Sequence, residues 1–132
     1  MQRSTFIKLA LAASIAPRAV ANDGNKKVRK LIFIAGKPSH PPMTHEFRAG
    51  TILLEKRLNN VPGLIVERHE MGWVDDETTF DDADAVVCFS DGLGRHPILE
   101  EKGRLQHIEK LITRGGGFGC MHFGVEVPKN VA

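Results

Sequence analysis

The sequence predicts an α/β fold, a doubly wound and mostly parallel sheet, and three observations carry that expectation. Short continuous apolar runs suit strands buried on both faces, as parallel strands are. Stretches with apolar residues three and four apart alternate with these runs. Glycine and proline mark the junctions. At 132 residues the chain has the size of one domain. Its 42% hydrophobic and 26% charged fractions are those of ordinary globular domains, which excludes a disordered chain and a polytopic membrane protein.

Residues 1–21 read as an export signal rather than as part of the fold. Arg3 and Lys8 form a positive start, Leu9 to Ala16 an apolar core, and Ala19-Val20-Ala21 a small-residue cleavage site. The apolar core is far below the roughly 20 residues of a transmembrane helix, so no stable membrane anchor is expected and the destination is periplasmic or extracellular. Arg3 to Lys8 also resembles a twin-arginine export motif in which Ser4 replaces one arginine. Loss of this segment removes Arg3, Lys8 and Arg18 and no acid, leaving 15 basic against 16 acidic side chains and a net charge of −1. A nucleic-acid partner is therefore not expected, and the 6% aromatic content without tyrosine offers no stacking platform. Cys88 and Cys120 each sit in an apolar run and read as core thiols rather than a disulfide.

After a polar linker at 22–27, Val28 to Ala35 is the first strand. Gly36 to Met43 is a loop with three prolines, after which Thr44 caps a helix carrying Phe47, Thr51, Leu54, Leu58 and Val61. Pro62-Gly63 ends it, and Leu64 to His69 is the second strand. The acidic stretch from Asp75 to Asp82 lacks the ligand alternation and central glycine of a calcium loop and reads as a solvated connector. Ala83 to Ser90 is the third strand. Pro97 opens a second helix whose Ile98, Leu105, Ile108 and Ile112 recur at helical spacing, Gly115-Gly116-Gly117 stops it, and Phe118 to His122 is the fourth strand.

Right-handed crossovers place the loops after each strand on one edge of such a sheet, where open α/β sheets bind ligands. Four of the six histidines fall there: His40 and His45 after strand one, His96 after strand three, His122 ending strand four. Asp91, Arg95, Glu46 and Glu126 join them, whereas His69 and His107 suit structural or solvent-facing roles. Imidazole exchanges protons at neutral pH, and a neighbouring carboxylate orients it. His122 with Glu126 is the expected acid/base pair, with Asp91 a third catalytic candidate. His40, His45, Glu46, Arg95 and His96 are the expected substrate-binding groups. The same set can hold a zinc-type divalent metal, and His96 with His122 are its expected ligands, completed by Glu126 or His45. The spacing leaves metal and proton transfer both open. His45 and Glu46 stand at a helix start, whose dipole favours an anionic or hydroxyl-rich ligand.

Gly119-Cys120-Met121-His122-Phe123-Gly124 has the strand-to-turn pattern of a nucleophile elbow. It resembles the class I glutamine amidotransferase-like, flavodoxin-like fold, with His122 where those enzymes carry their catalytic cysteine. Cys120 lies two residues too early for thiolate attack. Over Val28 to Lys129 the chain is similar to the ThuA-like (trehalose utilisation) family, built on that fold with histidine at this position. The segments carrying the resemblance are Gly36 to His40, His45 to Gly50, Ser90-Asp91-Gly92, Arg95-His96-Pro97, Gly119 to His122 and Glu126-Val127-Pro128. The resemblance implies carbohydrate metabolism, on a sugar, glycoside or oxidised sugar, with a small-molecule carbohydrate as partner.

The family domain continues well past the histidine strand, whereas only Phe123 to Ala132 follow it here, so the sequence reads as an N-terminal part of that domain. Uncovered apolar surface and an open strand edge then predict marginal stability or self-association. Residues 22–132 alone are expected to lack activity, because the loops that would hold substrate are incomplete. Two function classes remain: a sugar isomerase, lyase or hydrolase using His122 and Glu126, and a non-catalytic carbohydrate-binding module.

Overall fold

The structure, a computed structural model, describes residues 27–129. The expected export segment and all of the linker except Lys27 lie outside the described residues. Four strands, β1 (Arg29–Ala35), β2 (Leu64–His69), β3 (Ala85–Phe89) and β4 (Gly117–Met121), form one parallel sheet in the order β2-β1-β3-β4. This is the expected α/β arrangement of flavodoxin type, with the strand order reversing between β1 and β3. Ala35 pairs with Phe89 and Phe89 with Met121, so three strands end level and Gly36, Ser90 and His122 leave the sheet along one edge.

Residues that pair in register share a face, which sorts the core into two halves. Ile32 and Ile34 of β1 and Val86 and Cys88 of β3 form one face with Trp73, Phe80, Ile98, Ile108 and Leu111. The helix α3 (Arg104–Thr113) and the 3-10 turn Glu77–Phe80 supply the partners from outside the sheet. On the opposite face Phe33 and Val66 lie on the side of the helix α1 (Phe47–Leu58), whose Glu55 accepts a hydrogen bond from Arg68 of β2. The two faces are covered unequally. Val86 and Cys88 are fully buried, whereas Ala85, Val87 and Phe89 between them are only partly buried. The unbroken apolar run of β3 predicted burial on both faces; the structure gives alternation, because on that side α1 meets β3 at Phe89, through Phe47 and Gly50, and no described helix covers the rest of β3 or β4.

Several boundaries differ from the sequence expectation, each for a local reason. Thr44 does not cap α1: its hydroxyl donates to the Pro41 carbonyl, and Glu46 occupies the cap position while its Oε1 accepts the Met43 N–H. Val61 lies beyond α1 and is exposed. The expected second helix is two, α2 (Pro97–Glu100) and α3, because Gly103 takes φ +106° and turns the chain between them. The acidic connector contains the 3-10 turn Glu77–Phe80, capped by Asp76 accepting from the Thr78 N–H. Lys30 ties this segment to the sheet, reaching Glu67 at 2.9 Å and Asp82 at 2.8 Å. Burial opposes ionisation of Glu67, but hydrogen bonds from Lys30, Thr79 and His69 prevail and hold its carboxyl at about 2.

Cys88 and Cys120 are free thiols on paired positions of β3 and β4. Burial pushes Cys88 up to about 12, so it stays protonated and acts as a small apolar residue with its Sγ 3.3 Å from Ser90 Oγ. Among the described residues, no helix is long and apolar enough to cross a membrane.

Candidate functional site

The sheet edge that collects the loops also collects the backbone strain. Among the described residues, the four non-glycine residues with positive φ are Met43, Met71, Leu93 and His122. They lie in the loops after β1, β2, β3 and β4 respectively. A left-handed conformation costs a side-chain-bearing residue roughly 1–2 kcal/mol, so it persists only where surroundings over-determine it. His122 is the residue immediately after β4, not the last of that strand as the sequence predicted. Its φ of +61° starts the 3-10 turn His122–Val125. This is the elbow geometry that the glycine-flanked motif predicts for its apical residue.

Three of the four edge histidines come together. The rings of His40 and His45 are 3.8 Å apart between centroids, and those of His45 and His122 are 4.6 Å apart. Phe47, Phe89 and Phe123 surround His122 at 5.6, 6.0 and 4.4 Å. Asp91, delivered by the loop after β3, places Oδ1 3.5 Å from His45 Nδ1, and its side chain is only 11% exposed. His45 Nδ1 and Asp91 Oδ2 are both buried without a hydrogen-bond partner. Native interiors seldom leave such groups unpaired, so these two atoms single out the His45–Asp91 pair. Ser39 Oγ lies 2.8 Å from His40 Nδ1, and Glu46 braces the loop through the Met43 N–H. Arg95 stands at the rim, exposed, 4.0 Å from Asp91 Oδ2 and 3.5 Å from the Ser39 carbonyl.

The structure separates two other candidates from this cluster. His96 is buried, 4% exposed, and both ring nitrogens are engaged. Nε2–H donates to the Gly124 carbonyl at 2.9 Å, while Nδ1 accepts the Ile98 N–H at 3.3 Å and so caps α2. The expected metal pair of His96 and His122 is therefore not presented: His96 has no free lone pair, and the groups that converge are His40, His45 and Asp91, each with a ligand atom within 4.8 Å of the others. Glu126 is exposed, and its backbone serves the fold, the carbonyl accepting from Leu93 N–H and the N–H donating to Phe123. No hydrogen bond or ion pair joins its carboxylate to His122 among the described residues; His45 and Phe123 are the rings beside His122 instead.

His69 and His107 pair with Glu67 at 2.7 Å and Glu77 at 2.9 Å, away from this cluster. Sequence reasoning missed Glu70 and Arg48, which pair at 2.8 Å and line, with His40, His45 and Glu46, a cleft of about 430 Å³. Glu70 directly follows β2, so the rule that placed the other loops on this edge carries the signal for it.

Burial pushes His96 below the ordinary imidazole range, against the pull of its bond to the Gly124 carbonyl. The unfolded chain then binds a proton that the folded chain refuses, so stability is full above about pH 6.5 and falls as pH drops toward the lowered native value. In urea unfolding between pH 7.5 and 5, His96→Gln is expected to show a shallower fall than the parent. An identical slope in both would show that His96 does not carry this linkage.

Comparison of the chain with models of protein families, with curated proteins and with solved structures found no match.

Proposed function

We propose that the chain is part of an exported enzyme of ThuA-like type that acts in carbohydrate metabolism. Its histidine/carboxylate site works on a sugar, glycoside or oxidised sugar. One observation supports this reading above the others. The strained His122 stands at the apex of the turn after β4, in ring contact with His45, which in turn faces the buried Asp91. Neutral imidazole at that position accepts a proton from a hydroxyl or a carbon acid and returns it to a leaving oxygen. Asp91 beside His45, its Oδ1 3.5 Å from Nδ1, faces that ring from the loop after β3. The adjoining cleft of about 430 Å³ has the size of a small-ligand site, and Arg48, Glu70 and Glu46 on its walls suit hydroxyl-rich ligands.

Glu126 has no place in this scheme as a direct partner of His122; the His45–Asp91 pair takes the role assigned to it from the sequence. The test is a thermal-shift and product assay of the full chain against oxidised and unmodified disaccharides. A sugar-dependent rise in melting temperature is the expected result. Product that disappears in His122→Ala while the rise persists assigns catalysis to His122. A rise with no product from any sugar favours the carbohydrate-binding module, and absence of both rise and product overturns the reading.

A further inference from the structure

We propose that His40, His45 and Asp91 form a binding site for a divalent cation of the zinc type. The inference deepens the reading of the same site and rests on it only for the site's place at the sheet edge. Each residue offers one ligand atom, and the three atoms lie within 4.8 Å of one another. They come from two loops, those after β1 and β3, which flank the point where the strand order reverses.

The second observation concerns atoms rather than residue types. His45 Nδ1 and Asp91 Oδ2 are buried with no hydrogen-bond partner, in a residue pair of which Asp91 is 8% exposed. An unpaired buried polar atom is costly, and one cation satisfies both at once. Arg95, the nearest positive group to that carboxylate, stays 4.0 Å from Oδ2 on a side chain that is 67% exposed, so it does not form a close pair there. Ser39 Oγ engages His40 Nδ1 at 2.8 Å, which leaves Nε2 as the nitrogen free for a metal; an outer-shell contact of this kind commonly orients a ligating imidazole.

The donor set selects the cation. Two imidazole nitrogens and a carboxylate oxygen suit zinc-type ions and not calcium or magnesium, which require oxygen ligands. Metal–ligand distances near 2.0–2.2 Å bring tetrahedral ligand atoms to about 3.3 Å apart, so the widest pair must close by roughly 1.5 Å. His40 is exposed on the Gly36–Glu46 loop and can supply that movement, whereas Asp91 is buried and His45 half-buried. Three protein ligands leave a fourth position open. His122, in ring contact with His45, stands beside the site without being one of its converging donors.

The experiment titrates the purified, chelator-treated full chain with Co²⁺, read by visible absorption, and with Zn²⁺ by competition against a chromophoric chelator. One equivalent per chain with tetrahedral cobalt bands is expected. Asp91→Asn and His45→Gln should each weaken binding by about 100-fold or more. His107→Gln and His69→Gln, at histidines elsewhere in the fold, should bind as the parent does. Should the site variants not fold, imidazole NMR of the parent decides, since Zn²⁺ must then shift His40 and His45 and leave His69 and His107 unmoved. Binding below one equivalent, unchanged affinity in the site variants, or shifts confined to other histidines overturns the site. Stoichiometric metal without sugar-dependent stabilisation or product sinks the carbohydrate reading and leaves the metal site standing. Sugar turnover in a protein that binds no metal does the reverse.

Discussion

Gly92→Ala is expected to lower the stability of the fold by about 3 kcal/mol, the upper part of the range for forcing atoms into a filled space. A Cβ at this position would stand 2.0 Å from the Phe123 carbonyl oxygen and 2.8 Å from both the Glu126 Cβ and its carbonyl oxygen. Two of those three atoms are backbone and cannot swing aside. Relief requires moving the whole turn after β4, and with it the Leu93 N–H bond to Glu126 at 2.9 Å. That turn begins with His122, so loss of stability and loss of site geometry should appear together. Gly94→Ala is the control, because nothing lies within 4 Å of its added carbon. Urea midpoints of the two variants check the claim. A Gly92→Ala protein that unfolds with the parent would show that the turn after β4 does not rest against the loop after β3.

The second large effect separates strain from chemistry at one residue. His122→Gly and His122→Ala both delete the imidazole, and under the proposed function any turnover the domain supports is expected to fall by about 10²–10⁴-fold in either, the usual contribution of a positioned acid/base group. Both also lose the ring contacts to His45, Phe47, Phe89 and Phe123, so that loss cancels between them. What differs is the backbone at φ +61°, which glycine adopts freely and alanine does not. His122→Gly should therefore be the more stable of the two by about 1 kcal/mol. Equal stability of the two variants would mean that the turn relaxes out of the left-handed region once the ring is gone.

The fold was legible because buried parallel strands and amphipathic helices leave different periods, and each strand here is short, apolar and bounded by loop-forming residues. Coverage was less legible. Val87 and Phe89 are as apolar as Val86 and Cys88, and nothing in the letters says which face a helix will cover. At the site, the rule that loops gather at one edge correctly assembled His40, His45, Asp91 and His122. It failed for His96, whose ring replaces the usual serine or aspartate as a helix cap, a role that composition does not advertise. It failed also for Glu126, four residues from His122. Such a spacing brings side chains together on an α-helix, but the segment enters a 3-10 turn through a left-handed residue and Glu126 turns outward.

The unequal coverage of the two faces grades the local stability of the sheet. β1 is paired on both sides and contributes four consecutive buried residues, so its amides should open only with the whole molecule. Among the described residues β4 is paired on one side only, and none of its residues is fully buried. Its opening is the cheaper, sub-global event, a fraying unit in the sense used for hydrogen exchange. His122 is the next residue along the chain, and His96, through Gly124, is one of the ties between its turn and the rest, beside the Leu93–Glu126 bond. The candidate site is thus assembled from the His45–Asp91 pair, on the loops after β1 and β3, and from the His122 turn, whose placement should follow the docking of β4.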